Sequence, residues 1–255
     1  MTSGPYALSA VLITKNAASA LEECLRSVSF CNDIVVVDSG SQDGTVELAQ
    51  RYGARVIESA WLGFGPQKQF AVEQARNDWV LCIDADERVS PALQSSIVAA
   101  LEKPMATAYR FPRCNRFLGR YLRHGEGYPD WSLRLFHRGH GRWSDDAVHE
   151  KVLCDGEIGV LAGDLLHDSA ESLDSYLTKQ NRYTSLAADE TLARGKRASV
   201  AKMLLSPLFR FIKFYLLRRG FLDGAPGLVH ILIGCQNSFT KYAKMLERQA
   251  STKGQ

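Results

Sequence analysis

The sequence predicts an α/β fold, a mostly parallel sheet flanked by helices, with a helical extension at its C-terminal end. Strand-length apolar runs alternate with amphipathic helical patterns through the first hundred residues, an order typical of parallel α/β folds. The chain has 255 residues, of which 45% are hydrophobic. A chain of this size and composition can form one domain of about 200 residues plus an appendage.

The first elements predict a β-α-β unit. Residues 8–14 and 34–37 are apolar runs of the kind that form strands buried on both faces. Between them, residues 17–27 predict a helix, because Leu21 and Leu25 recur on one face. A crossover helix between two strands favours a parallel pair.

The following segments continue this order. The predicted elements are a turn at 39–44, a helix that Thr45 caps and Gly53 ends, a strand at 55–57, a helix at 67–75 and a strand that ends at Asp84. Right-handed crossovers bring the carboxyl ends of such strands to one edge of the sheet. We therefore expect Asp38 and Asp84 to face the same crevice.

The pattern is less regular beyond Pro91. The predicted elements are a helix over 91–101, a strand over 107–111, an Arg- and aromatic-rich region over 113–143 and a helix over 172–192. We place a soft boundary near residue 190. It divides the chain into an α/β domain at 1–190 and a helical segment at 191–255.

Composition excludes several classes of protein. The net charge of +3 is too small to indicate nucleic-acid binding. Six scattered cysteines without a C-x-x-C pair disfavour a zinc site and fit a reducing cytosol. We find no secretory signal at the N-terminus and no apolar run long enough for a membrane-spanning helix.

Two carboxylates one residue apart follow the apolar run Val80-Leu81-Cys82-Ile83. Asp84 and Asp86 are thus expected at a strand exit, where open α/β sheets bind ligands. Paired carboxylates there suit Mg²⁺ or Mn²⁺, which usually shares its coordination with substrate phosphates. An ordinary polar turn after a strand is the alternative interpretation.

Three motifs together resemble the family-2 glycosyltransferases of the GT-A fold. They are Leu12-Ile13-Thr14-Lys15-Asn16, Val35-Val36-Val37-Asp38-Ser39-Gly40-Ser41-Gln42-Asp43-Gly44-Thr45 and Ile83-Asp84-Ala85-Asp86-Glu87. The second is the most specific, because an ordinary capped turn would explain only its last residues. The resemblance covers roughly residues 8 to 170 and implies a GT-A fold and a glycosyltransferase activity.

Further motifs are similar to one branch of that family. Tyr128-Pro129-Asp130-Trp131-Ser132-Leu133-Arg134-Leu135-Phe136, then Trp143 and Val148-His149-Glu150, look like the branch that adds β-linked glucose to the inner core of bacterial lipopolysaccharide or lipooligosaccharide. This resemblance implies UDP-glucose as the donor and a lipid-linked heptose as the acceptor. A transferase for another cell-envelope glycan and a non-catalytic sugar-nucleotide-binding module remain the alternatives, because fold and family do not fix an acceptor.

The resemblance also implies roles for donor-side residues. Asp86 is the expected metal ligand, and Asp84 would contact the ribose or support the metal through water. Asp38 would accept a hydrogen bond from uracil, with Thr14 and Asn16 as the floor of the base pocket. His167 follows Leu165-Leu166 and is a candidate for completing the metal sphere.

Two cations are candidates for the diphosphate. Arg134 offers a planar fork to phosphate oxygens, and Lys68 offers an ammonium group. A structural ion pair is the alternative for Arg134, and a solvated helix face is the alternative for Lys68.

Inversion at the anomeric carbon requires a base that takes the proton of the acceptor hydroxyl. Glu150 is the first candidate because it follows Trp143 and a polar stretch, as acceptor-side loops often do. Asp130 is the second candidate, and Asp145 and Asp146 rank below it. Each could equally be a surface charge.

The segment between Thr191 and Leu222 has no acidic residue and interleaves eight cations with many large apolar residues. Such a helix can lie on an anionic membrane, which would place the protein at the inner face of the cytoplasmic membrane. Packing on the domain and contact within a homo-oligomer are the alternatives. Nucleic-acid binding is disfavoured by the apolar density.

Overall fold

The computed structural model describes residues 7–146, 150–168 and 172–253. The contacts of these residues divide the chain into two compact units. The first unit comprises residues 1–114 and 130–168, and the second comprises residues 115–129 and 169–255. The domain boundary near residue 190 stays a prediction.

The first unit contains most of the strands. They are β1 (Leu8–Thr14), β2 (Asp33–Asp38), β3 (Arg55–Glu58), β4 (Trp79–Cys82), β5 (Glu87–Val89), β6 (Ala108–Phe117, whose last residues belong to the second unit), β8 (Asp130–His137), β9 (Gly141–Trp143), β10 (Val152–Cys154), β11 (Ile158–Val160) and β12 (Leu165–His167). Its helices are α1 (Ala18–Ser27), α2 (Thr45–Arg51), α3 (Phe64–Glu73) and α4 (Pro91–Glu102).

The main sheet has the strand order β3-β2-β1-β4-β8-β6-β12-β5. The first four strands in this order run parallel, and β8 joins β4 and β6 in antiparallel fashion. Two apolar clusters of the first unit include the parallel strands, with α1, α2 and α4 contributing to one and α3 to the other. The predicted α/β class with flanking helices is confirmed.

Asp38 and Asp84 lie at one edge of this parallel part. Asp38 ends β2 opposite Thr14, and Asp84 follows β4, whose Cys82 pairs with Val11 of the same neighbour strand β1. This position agrees with the expectation that right-handed crossovers bring the carboxyl ends of parallel strands to one edge of the sheet.

Several predicted details need correction. Thr45 does not cap α2, because the N-cap residue is Gly44 at φ 85 and the Thr45 hydroxyl contacts Asp43 and the Ala17 N–H instead. Helix α3 begins at Phe64 rather than at residue 67. The region 113–143 is more regular than predicted, since β8 and β9 lie in it.

The second unit is mainly helical. It contains α5 (Leu173–Ala193), α6 (Val200–Phe211), a π-helix (Ile212–Leu217), a 3₁₀-helix (Gly220–Asp223) and α7 (Gly224–Lys253), with the two-residue strand β7 (Arg120–Tyr121). Asp223 is buried and accepts hydrogen bonds from the backbone N–H groups of Arg123 and His124 at 3.0 and 2.8 Å. This carboxylate ties the segment 115–129 to the helices. Among the described helices, none combines the length and apolarity that crossing a membrane requires.

Candidate functional site

Lys68 links two acidic residues whose predicted roles differ, Asp84 on the donor side and Glu150 as the base. Its ammonium nitrogen lies 3.1 Å from Asp84 Oδ1 and 3.0 Å from Glu150 Oε1. The Lys68 side chain is only 9% exposed, so a solvated helix face is wrong for this residue. Helix α3 thus places one cation between the loop after β4 and the segment that precedes β10.

Arg134 occupies the other side of Asp84. Its Nη2 lies 2.9 Å from Asp84 Oδ2 and 3.5 Å from Glu87 Oε1, and the guanidinium is almost completely buried. The structural ion pair considered for Arg134 is therefore present. Burial alone would raise the pKa of Asp84, but Arg134 and Lys68 outweigh it and hold that pKa well below its usual range.

The ring of Trp143 packs against both Lys68 and Arg134. The Lys68 ammonium and the Arg134 guanidinium lie 4.8 and 5.3 Å from its ring centroid, within cation–π range. Its indole N–H contacts Cys82 Sγ at 3.4 Å, and the ring is 2% exposed. Trp143 is therefore a buried aromatic ring in contact with both of the cations that pair with Asp84.

Glu87 belongs to the site, although its sequence motif predicts no role for it. It is fully buried, accepts a hydrogen bond from the Asp84 N–H at 2.9 Å, and pairs with Arg134 and Arg113 at 3.5 Å. Burial raises its pKa, although Arg134 opposes the shift. Its position in Asp84-Ala85-Asp86-Glu87 was the available signal, but local sequence does not show that this carboxylate turns inward.

Asp38 holds the turn that follows β2. Its Oδ1 accepts from the backbone N–H groups of Gly40 and Ser41, and its Oδ2 accepts from the hydroxyls of Ser41 and Thr14. Burial by itself raises the pKa of Asp38, but these hydrogen bonds outweigh it and leave the pKa below its ordinary value. Asp38 and Thr14, both predicted at the base pocket, are thus in direct contact.

Asn16 joins the same turn from the end of β1. Its N–H donates to Ser41 Oγ at 2.7 Å, and its side-chain oxygen accepts from the Gln42 N–H at 2.8 Å. The residue adopts φ 51, a left-handed conformation that asparagine tolerates better than most residues do. The three residues predicted to bind the base therefore form one connected group.

Asp86 and His167 form a separate pair. Strands β5 and β12 place His167 opposite Glu87, and His167 Nε2 lies 3.3 Å from Asp86 Oδ2. Within 7–146, 150–168 and 172–253, no three His, Cys, Asp or Glu side chains are grouped to hold a metal by themselves. A carboxylate beside an imidazole nevertheless fits a divalent cation whose other ligands are phosphate oxygens and waters.

Asp130 lies at the start of β8 and is partly exposed. Its carboxylate pairs with Arg113 at 2.7 Å, and Arg113 also reaches Glu87. Asp145 and Asp146 are exposed, with Asp145 3.7 Å from Arg142. The first candidate base, Glu150, is thus connected to Asp84 through Lys68, whereas Asp130 is connected through Arg113 and Glu87. His149 lies outside the described residues.

Comparisons with known proteins agree with these motifs. The model of glycosyl transferase family 2 matches residues 9–154. The lipopolysaccharide core biosynthesis glycosyltransferase LpsC of Rhizobium meliloti is 33% identical over 253 residues, covering 95% of this chain and 93% of the relative. The uncharacterized glycosyltransferase RT0209 of Rickettsia typhi is 30% identical over 253 residues, covering 94% and 87%.

Solved structures give weaker likenesses. S. aureus TarS 1-349 in complex with UDP-GlcNAc has a TM-score of 0.48 at 14% identity, covering 98% of this chain and 92% of that one. Glucosyl-3-phosphoglycerate synthase from Mycobacterium tuberculosis, in complex with Mn²⁺, UDP and glucosyl-3-phosphoglycerate, has a TM-score of 0.37 at 24% identity. This chain spans 44% of that synthase chain, and the match covers 44% of this chain. By the family model and the full-length relatives, the chain belongs to glycosyl transferase family 2 and is a glycosyltransferase.

Proposed function

We propose that this glycosyltransferase moves glucose from UDP-glucose, with inversion, onto a heptose in the inner core of a lipid-linked lipopolysaccharide. The observation that carries the proposal is the 33% identity to a lipopolysaccharide core biosynthesis glycosyltransferase over nearly the whole of both chains. The resemblance of the segments around Asp130 and Glu150 to the glucose-adding branch supports the choice of donor sugar.

The donor would bind along the carboxyl edge of the parallel strands. Asp38, Thr14 and Asn16 would contact the base, which their shared hydrogen-bond network supports. Asp86 and His167, with Asp84 directly or through water, would hold Mg²⁺ or Mn²⁺. The bound ion would neutralise charge that develops on the departing diphosphate.

Lys68 and Arg134 would add fixed positive charge at the same place. An ammonium has three N–H donors and a guanidinium has five, so both side chains retain donors beyond their contacts with Asp84. Donors held in position before the reaction stabilise a developing anion without reorganising. The contact of both cations with the buried ring of Trp143 favours this role.

Glu150 would act as the base. The acceptor oxygen would attack the anomeric carbon from the face opposite the diphosphate, the bond from that carbon to the phosphate oxygen would break, and the hydroxyl proton would pass to Glu150. Its ion pair with Lys68 fixes the carboxylate near Asp84, and its side chain keeps 19% of its surface exposed.

Mass spectrometry of acceptor lipid tests the substrates. Core lipid purified from a strain that lacks this protein should gain one hexose from UDP-glucose when the purified enzyme and Mg²⁺ or Mn²⁺ are present. A panel of other sugar nucleotides is the control for the donor, and other envelope glycans are the control for the acceptor. Transfer from another donor only, or to another glycan only, would replace this assignment.

Two conservative variants test the base. Glu150→Gln should retain UDP-glucose affinity in calorimetry and lower kcat by about 10²–10⁴-fold, the usual contribution of a general base. Asp130→Asn should lower kcat far less. The reverse order of the two losses would move the role of base to Asp130.

A further inference from the structure

The second unit presents a continuous apolar surface on α6 and the π-helix. Side chains four residues apart are neighbours on a helix surface, and five residues in a series with this spacing are exposed. Their relative exposures are 59% for Val200, 58% for Leu204, 54% for Leu208, 37% for Ile212 and 52% for Leu216. Leu205, Phe209 and Leu217, exposed by 48%, 65% and 75%, lie beside them and complete what we call the apolar row.

The opposite side of α6 is already occupied within the second unit. Arg210, half a helical turn from Leu208 and Ile212, donates to Ser238 Oγ of α7 at 3.1 Å and to Glu126 Oε2 at 2.9 Å. Among the residues that the structure describes, the apolar row is therefore the side of this helix that stays exposed. Soluble monomers rarely expose large apolar side chains in so continuous a patch without a binding role.

The charges near the apolar row indicate which kind of partner this surface binds. Between Thr191 and Leu222 the chain has eight cations and no acidic residue. Arg210 is used in its pair with Glu126, so it does not belong to the open surface. Arg194 is exposed but pairs with Glu190 at 2.5 Å, so it is also set aside. The remaining six cations are exposed, and they are Lys196, Arg197, Lys202, Lys213, Arg218 and Arg219.

An apolar row with flanking cations complements an anionic bilayer, whose headgroups attract Lys and Arg while its acyl region accepts the apolar side chains. A second copy of this chain fits less well. A two-fold contact places the same patch on itself, and would therefore bring cations against cations.

We propose that the apolar row and the exposed cations around it seat this enzyme in the headgroup region of an anionic bilayer. The proposal goes beyond the transfer reaction, because it does not depend on which sugar is moved. It adds a defined membrane-contact surface to a chain whose described helices do not span a membrane.

Co-sedimentation with vesicles tests the surface. Vesicles of equal parts phosphatidylglycerol and phosphatidylcholine should bind the full chain at about 0.15 M salt, and pure phosphatidylcholine vesicles should bind it much less. Replacing Lys213, Arg218 and Arg219 by Gln should weaken binding about a hundredfold, at roughly fivefold for each cation lost near the membrane surface. The matched control replaces three exposed cations of the first unit, Arg51, Arg76 and Lys103, by Gln and should bind like the wild type.

Insertion of the apolar row into the bilayer is measured in a separate experiment. Phe209→Trp should be quenched by brominated lipid in anionic vesicles, whereas Met105→Trp, at an 82% exposed site in the first unit, should not. Replacing Leu204, Leu208 and Phe209 by Ser should abolish sedimentation, and the same change at Met105 and Val160 should not. Unchanged sedimentation of the cation variant, or equal quenching at positions 209 and 105, would overturn the proposal. So would a dimer in light scattering that the Ser variant dissociates while vesicle binding persists.

Discussion

Lys68 is the residue that connects the two halves of the candidate site. It lies in ion pairs with Asp84 and Glu150, which are themselves far apart along the chain, and its own charge is nearly buried. Removing one partner of a buried pair leaves the other charges without compensation, which costs more than the pair contributes. The positions of Asp84 and Glu150 should therefore depend on this ammonium group.

We expect Lys68→Met to lower kcat/KM for UDP-glucose at least a hundredfold and to destabilise the fold by about 2 kcal/mol, because two carboxylates lose their shared cation. Steady-state kinetics and urea unfolding measure the two effects. Lys103→Met, on an exposed site, is the matched control. A Lys68→Met enzyme with wild-type kinetics would show that the cluster is only structural.

Asp38 gives a pH prediction. Its pKa is lower in the folded chain than its ordinary value of 3.8. Its contribution to stability is therefore complete above that value and is lost as the pH falls through the lower folded value. Asp38→Asn should be less stable by about 1–3 kcal/mol near neutral pH, because an amide nitrogen cannot accept hydrogen bonds.

The measurement is the free energy of unfolding in urea at about pH 6.5 and about pH 3. The difference in stability between wild type and Asp38→Asn should shrink at the lower pH. Asp78→Asn, at a 67% exposed surface position, should follow the wild type at both. A gap that stays constant would mean that folding does not lower the pKa of Asp38.

At the scale of elements, Gly65 sets how closely α3 approaches the end of β9. A Cβ at this position would lie 2.1 Å from the carbonyl oxygen of Ser144, and backbone cannot yield cheaply. Helix α3 carries Lys68, and Ser144 lies on the way to Glu150. The absence of a side chain at residue 65 therefore supports the Lys68–Glu150 contact.

Gly65→Ala should push these elements apart, lower kcat more than tenfold and cost about 2–3 kcal/mol of stability through overpacking. Gly195→Ala is the control. It strains a residue at φ 74 where a Cβ meets open space, so it should cost about 1 kcal/mol and leave kcat unchanged. Kinetics combined with urea unfolding separates the two variants, and equal kcat values would show that Gly65 does not influence the site.

The elements that the sequence predicted well are those that local pattern determines. Strands β1 to β4 and helices α1, α2 and α4 follow from apolar periodicity, and the exits at Asp38 and Asp84 follow from parallel connectivity. Strand β8 inserts between β4 and β6, and this pairing depends on contacts between distant segments. Its irregular sequence pattern could not reveal the register.

In the site, too, some features follow from local sequence pattern and others depend on contacts between distant segments. Asp38 and Thr14 were predicted from motifs at strand ends, and their contact joins residues on adjacent strands. Lys68 and Glu150 are 82 positions apart, and their ion pair depends on how α3 and the segment before β10 pack. The inward turn of Glu87 and the placement of Trp143 under two cations are likewise tertiary facts.

At the scale of the whole molecule, the chain combines a family-2 transferase unit with a helical unit that carries the apolar row and its cations. If the apolar row seats the enzyme on a bilayer, the enzyme is concentrated near an acceptor that is anchored in the same bilayer by its lipid. Such a benefit applies to acceptors in membranes and not to acceptors free in solution.

The variant with Gln at Lys213, Arg218 and Arg219 should therefore transfer sugar to delipidated core oligosaccharide at the wild-type rate. On core lipid in anionic vesicles its rate should fall at least tenfold, and raising the salt to about 1 M should bring the wild type down toward it, because screening removes the attraction. Initial rates of hexose addition on the two acceptors give the comparison. An equal loss of rate on both acceptors would mean that these cations take part in the reaction itself. An unchanged rate on both acceptors would mean that membrane contact does not contribute to catalysis.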